Sequence, residues 1–134
     1  RPFNIFGIGQ NENFLIPSII KQVASGIIEL KDPRPKRDFI YMDDVVDAYI
    51  RAISFEPNKA EIFNLGSGKS YSIKDVASII QNSFNEAIDI HFTNEYRKTE
   101  IMNTIANISK INKLCNWEPK VTFEEGISKI INQI

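Results

Sequence analysis

The stretch Asn64-Leu65-Gly66-Ser67-Gly68-Lys69-Ser70 follows the apolar run Glu61-Ile62-Phe63 and precedes an amphipathic run that starts at Ser72. Strand, glycine loop and helix make the layout of a phosphate cradle, in which successive backbone N–H groups point at an anion. Gly68-Lys69-Ser70 matches the end of the triphosphate-binding pattern G-x-x-x-x-G-K-[ST]. Its first glycine falls at position 63, which is Phe63. A phenylalanine cannot cheaply take the wrapped conformation that the first glycine supplies. The helix of that pattern starts at the lysine, whereas Ser72 is the better cap here. The segment therefore reads as a tight strand-to-helix turn, with Asn64 and Ser72 satisfying backbone groups and Lys69 in solvent. Gly7-Ile8-Gly9 is likewise no dinucleotide fingerprint, because Glu12 stands where the third glycine of G-x-G-x-x-G belongs.

Other candidates for chemistry are few. Asp43 and Asp44 look like a carboxylate pair, but neighbours in sequence point in different directions, and capping of the following helix explains them better. Asp38 is read as an ion-pair partner that orients its loop. His91 is the single histidine and ends a strand, which favours a surface or structural role. Cys115, the single cysteine, rules out an intrachain disulfide, suits a reducing compartment, and reads as a buried packing thiol beside Trp117. No His/Cys/Asp cluster has metal-ligand spacing. A net charge of −1 and scattered aromatics argue against a nucleic-acid surface.

These residues must be positioned by one domain of 134 residues, with 43% hydrophobic and 25% charged residues, ordinary values for a soluble globular chain. No apolar run approaches the roughly 20 residues of a membrane span. The spacing predicts strands over 2–6, 27–30, 39–42, 61–65 and 88–92, with a short one near 103–106. It predicts helices over 14–25, from Asp43 or Asp44 onward, 72–84, 108–115, and from Thr122 to the end. Pro17 fits only a first helical turn. Loops are expected at 7–13, 31–38 and 56–59. Ser72 with Asp75, and Thr122 with Glu125, read as capping boxes. Val45, Val46, Tyr49, Ile50 and Ile53 form one predicted apolar face, and Phe123, Ile127, Ile130, Ile131 and Ile134 another. Alternating strands and helices give an α/β class, with too few strands for a complete doubly wound sheet.

Read in order, RPFNIFGIGQ, FLIPSIIKQVASG, RDFIYMDDVVDAYIRAI, EIFNLGSGKSYSIKDVASII, YRKTEI and SKINKLCNWEPKVTFEEGI resemble the C-terminal half of the extended short-chain dehydrogenases/reductases. These are the nucleotide-sugar epimerases and dehydratases, such as UDP-galactose 4-epimerase. The resemblance implies the last strands of a Rossmann-type sheet plus a small α/β substrate-binding domain, all within 1–134. It implies a substrate-binding fragment, since the family's glycine fingerprint and Tyr-x-x-x-Lys pair are not in this chain. Val45, Ile53, Asp75 and Glu100 stand four residues after Tyr41, Tyr49, Tyr71 and Tyr96. No catalytic residue is therefore expected here.

The same resemblance assigns a site. Arg37 and Arg97 would meet a substrate diphosphate, and Glu100, where many members have Asp, would bind ribose. Asn4 would touch the substrate phosphate. Phe14, Leu15, Ile16 and Pro17 would pass near the base, and Pro2 and Phe3 would line the nicotinamide side. The guanidinium fork suits a phosphate because it can donate two N–H groups to one group. The implied full-length protein is a cytoplasmic homodimer that uses NAD or NADP, held mainly by the other half. Its implied substrate is a nucleotide-diphosphate sugar, with hydride transfer at the sugar C4 and no nucleic-acid or membrane partner. A non-catalytic nucleotide-sugar-binding or interaction module on the same half-fold is the alternative.

Overall fold

A computed structural model describes residues 1–56, 60–84 and 87–134. Residues 57–59 of the expected loop at 56–59 lie outside the described residues. Ten elements follow in order: β1 (Asn4–Phe6), α1 (Leu15–Val23), β2 (Ile27–Leu30), β3 (Lys36–Tyr41), α2 (Met42–Ile53), β4 (Ser70–Ser72), α3 (Ile73–Asn82), β5 (Asp89–Phe92), α4 (Ser109–Cys115) and α5 (Phe123–Ile131). The α/β class is as expected.

Two small sheets organise the chain. One has the order β1-β3-β4, with β1 parallel and β4 antiparallel to β3. The other pairs β2 with β5 in parallel, placing Ile28 beside Ile90 and Leu30 beside Phe92. The alternation of β2 buries Ile28 and Leu30 and leaves Ile27 and Glu29 outside, as a period-two strand must.

The main core lies where α1, α3 and α5 cover these strands. It is built on Phe6, Phe39, Tyr41 and Phe123, with Ile19, Val76, Ile80 and Ile127 fully enclosed. Phe6 and Phe123 sit with ring centroids 5.1 Å apart, and Tyr71 stacks on Phe123 at 4.6 Å. Such aromatic pairs contribute beyond their buried area. A second cluster joins Ile40, Val45, Ala48, Leu65, Ile111 and Trp117.

Both capping boxes form. Ser72 Oγ accepts from Asp75 N at 3.0 Å while the Asp75 carboxylate accepts from Ser72 N at 2.9 Å. Thr122 and Glu125 repeat the arrangement on α5. Pro17 falls in the first turn of α1, where its missing N–H costs nothing.

Several expectations are corrected. β3 begins at Lys36 rather than 39, because β4 and the bridge from Lys36 to Asn103 give it partners within the charged stretch. Ser70–Ser72 is a strand inside the expected loop. Residues 61–65 form no strand; Leu65 makes a single parallel bridge to Pro2, with hydrogen bonds to Arg1 O and Phe3 N. Asp43 and Asp44 do not cap α2, whose N-cap position is Tyr41 without a side-chain bond. The Asp44 carboxylate instead accepts from Lys120 N at 2.9 Å and Val121 N at 3.0 Å, tying α2 to the lead-in of α5. Asp43 pairs with Lys129. On α2 only Val45 of the predicted apolar face is buried, and Val46, Tyr49, Ile50 and Ile53 are exposed. Ile134 is exposed as well. Cys115 is half-buried against the second cluster, and His91 is exposed on β5. Among the described residues no helix is long and apolar enough to cross a membrane.

Candidate functional site

A cavity of about 1040 Å³ opens between the two sheets. That is at the upper end of the roughly 300–1,000 Å³ of small-molecule sites and has room for a nucleotide joined to a sugar. Phe3 and the β1 residues Asn4 and Ile5 line one side; Phe14, at the N-cap of α1, and Leu15 and Ile16 of its first turn line another. The end of β2 and its loop supply Glu29, Lys31 and Asp32, β3 supplies Arg37 and Phe39, and the segment 95–100 closes the rim.

Eight of the ten expected site residues — Phe3, Asn4, Phe14, Leu15, Ile16, Arg37, Arg97 and Glu100 — line this cavity. Pro2 and Pro17 do not. Pro2 is exposed and bridges to Leu65, and Pro17 turns away within α1. Ile16 is a core residue that closes the wall from behind.

The chemistry concentrates at Arg37. Its guanidinium donates to the Glu100 carboxylate, to Ile101 O at 2.6 Å and to Lys36 O at 2.9 Å. Glu100 Oε2 also lies 3.9 Å from Arg97 Nη1. Arg37 is 26% exposed and its fork is held; Arg97 is 84% exposed and reaches into solvent. Two guanidinium groups therefore converge on one carboxylate at the cavity edge, an arrangement that an anion with several oxygens can enter. Asn4 Nδ2 donates to Asp38 O at 2.9 Å, which holds the amide beside this centre.

Asp38 corrects the expectation of an ion pair. Its carboxylate is fully buried and accepts from Ser67 N at 2.7 Å, Ser67 Oγ at 2.8 Å, Gly68 N at 3.0 Å and Ala106 N at 3.0 Å. The glycine loop is thus an anion cradle whose anion is a side chain of the same protein. Gly66 has to be glycine there: a Cβ would stand 2.3 Å from Ala106 Cβ and 2.8 Å from Asp38 Oδ2. Lys69 is exposed, and Asn64 donates to Asn107 O at 3.4 Å.

Sequence reasoning missed the other end of the cavity. Asp32, only 7% exposed, takes a two-pronged contact from Arg34, Nε to Oδ1 and Nη2 to Oδ2, both at 2.9 Å. The Arg34 guanidinium holds the Asp32 carboxyl below the usual carboxylate range, and Lys31 does the same for Glu95. Arg34 also lies 3.8 Å over the ring of Tyr96. The D-x-R spacing was a signal available in the sequence; the aromatic partner, 62 residues along the chain, was not.

Among the described residues no three His, Cys, Asp or Glu side chains gather to hold a metal ion. Among the described residues, the Ser67 and Gly68 amides of the glycine loop already donate to Asp38, and the Gly7–Gly9 turn lacks the third glycine of a dinucleotide fingerprint.

The family model described as GDP-mannose 4,6 dehydratase matches residues 1–130. UDP-glucuronate 4-epimerase of Thermodesulfobacterium geofontis is 33% identical over 98% of this chain and 41% of its own length. CDP-abequose synthase of Salmonella muenchen is 31% identical over 96% of this chain and 45% of its own. Among solved structures, RMD from Pseudomonas aeruginosa complexed with NADPH superposes with a TM-score of 0.88 at 25% identity, over 98% of this chain and 46% of that one. The chain thus spans less than half the length of the relatives it matches, and the likeness falls on their C-terminal portion.

Proposed function

The chain belongs to the GDP-mannose 4,6 dehydratase family, among nucleotide-sugar epimerases, dehydratases and reductases that use NAD(P), and on that premise we propose that it is the nucleotide-sugar-binding portion of such an enzyme. The observation that carries the reading is the convergence of Arg37, Arg97 and Glu100 on one edge of a 1040 Å³ cavity. Arg37 and Arg97 hold the diphosphate, and Glu100, released from Arg37 by the entering phosphates, takes the ribose hydroxyls. Asn4 touches the substrate phosphate, and Phe3 lines the nicotinamide side. Holding the remote nucleotide serves catalysis by fixing the sugar in register with the reacting groups.

The chain contains no Tyr-x-x-x-Lys pair, so the proton-transferring groups are assigned outside it. NAD(P), which supplies a hydride carrier in this family, is likewise assigned to a site built mainly by other residues. The sugar C4 is the proposed reacting carbon, and the cytoplasm and a homodimer the proposed setting.

The test is steady-state kinetics of the intact protein with UDP-, GDP-, CDP- and dTDP-sugars. One of them should turn over, and Arg37→Ala should raise its KM at least tenfold, about 1.4 kcal/mol. Unchanged kinetics in Arg37→Ala would remove the assignment. Binding of a nucleotide sugar without turnover by the intact protein would instead establish a binding module.

A further inference from the structure

Tyr96 is held at one ring face and at its hydroxyl. Arg34 covers one ring face at 3.8 Å, and Arg34 is itself fixed by its fork on the buried Asp32. The Tyr96 hydroxyl donates to Asn94 Oδ1 at 3.1 Å. Asn94 sits in the left-handed region at φ 57° and its N–H donates to Lys31 O at 2.9 Å. Loop 31–34 and segment 94–96 are thus braced against each other through the tyrosine. Yet Tyr96 remains 54% exposed and lines the cavity. A large amphipathic ring held in place and still half exposed costs little entropy to use as a contact surface.

Its place along the cavity says what would lie on it. Arg97, proposed above to hold the diphosphate, is the next residue. Its Nη1 lies 3.9 Å from the Glu100 carboxylate, which Arg37 also holds. Tyr96, Lys31 and Asp32 line the same cavity, so a ligand with its diphosphate on the two arginines has its nucleoside end within reach of the tyrosine ring.

We propose that Tyr96, clamped by Arg34 and Asp32, is the wall on which the nucleobase stacks. The inference rests on the nucleotide-sugar reading of the same cavity. It adds a residue and a clamp to that reading. Every base has a π-face, so the stack strengthens binding of the nucleoside without choosing the base by hydrogen bonds.

Isothermal titration of the intact protein tests it, with GDP, UDP, CDP and dTDP as nucleoside diphosphates and inorganic pyrophosphate as the baseless probe. For the nucleoside diphosphate that binds best, Tyr96→Ala should weaken binding about tenfold, within the range for base–aromatic stacking. Pyrophosphate affinity should stay within about twofold, and Tyr96→Phe should bind like the wild type. The base protons of the bound nucleotide should shift upfield in the wild type and lose that shift in Tyr96→Leu, which keeps an apolar side chain of similar bulk. Arg34→Ala should lose part of the nucleoside-specific affinity. Equal loss for nucleoside diphosphate and pyrophosphate, or no loss in Tyr96→Ala or Tyr96→Leu, overturns the proposal and leaves the diphosphate site standing. If neither probe binds the wild type, the proposal and the nucleotide-sugar reading fall together.

Discussion

The carboxylate of Asp38 accepts the backbone N–H of Gly68 at 3.0 Å. With Ser67 and Ala106 this fully buried carboxylate closes a knot that joins β3, the glycine loop and the segment leading into α4. Arg37, one residue before, points to the opposite face of β3 and meets Glu100 and Ile101 of that same segment. The strand thus uses adjacent residues, one to fasten the segment from inside and one to reach the cavity.

Asp38→Ala leaves the buried Ala106 N–H and two part-buried loop amides without their acceptor. Hydrogen bonds to a charged group and the desolvation of orphaned donors together put the loss at roughly 3 kcal/mol or more. Urea unfolding followed by circular dichroism should show a lower midpoint, and an unaltered midpoint would contradict the knot.

The two loop glycines separate crowding from backbone conformation. Gly66→Ala places a methyl within 2.3 Å of Ala106 Cβ, so it should cost about 1–3 kcal/mol through overpacking. Gly68 has φ +75° and only Ile108 nearby, at 3.8 Å, so Gly68→Ala should cost about 1–2 kcal/mol from the left-handed backbone alone. Paired unfolding curves should also show nucleotide affinity impaired by Gly66→Ala, which pushes on Asp38, and spared by Gly68→Ala.

Arg37→Lys keeps the charge and loses the fork. The lysine cannot reach Glu100, Ile101 O and a phosphate at once. Substrate KM should rise nearly as far as in Arg37→Ala. Kinetics of Arg37→Lys matching the wild type would show that charge alone is what the site uses.

The capping box of α3 sets a pH dependence. Asp75 is held below its ordinary value, first by the Ser72 side-chain hydrogen bond and next by the Ser72 backbone N–H. A folded-state pKa below the unfolded one gives stability that is full above the unfolded value, about 3.9 for Asp, and is lost as pH falls through the lowered one. Asp75→Asn should therefore reduce stability at pH 7 and flatten its decline below about pH 4. Thermal melts between pH 7 and pH 3 on both proteins would decide it; parallel curves would remove Asp75 from the acid limb.

Much of the scaffold was legible because its signals are local. Ser72 with Asp75 and Thr122 with Glu125 are three-residue relationships, and both boxes formed. Pro17 and the alternation of Ile28 and Leu30 are equally short-range. The face of α2 was misread because periodicity reports an amphipathic surface and says nothing about whether a partner covers it. The strand expected over 61–65 is reduced to one bridge because a strand needs a neighbour, which spacing cannot supply.

The amino-acid order by itself determined the α/β class, the capping boxes of α3 and α5, and the set of motifs that placed the chain in its family. It also excluded a triphosphate loop, since Phe63 stands where a glycine was required. Only the tertiary structure decided where the charges go. Asp38, read as an ion-pair partner, became the anion of the glycine loop 29 residues away, because packing brought the amides of Ser67 and Gly68 to it. Arg37 met Glu100 across 63 residues, and Arg34, beyond the end of β2, met Tyr96, beyond the end of β5. Hydrogen-bond and stacking partners are chosen by distance in space, and a sequence records only distance along the chain.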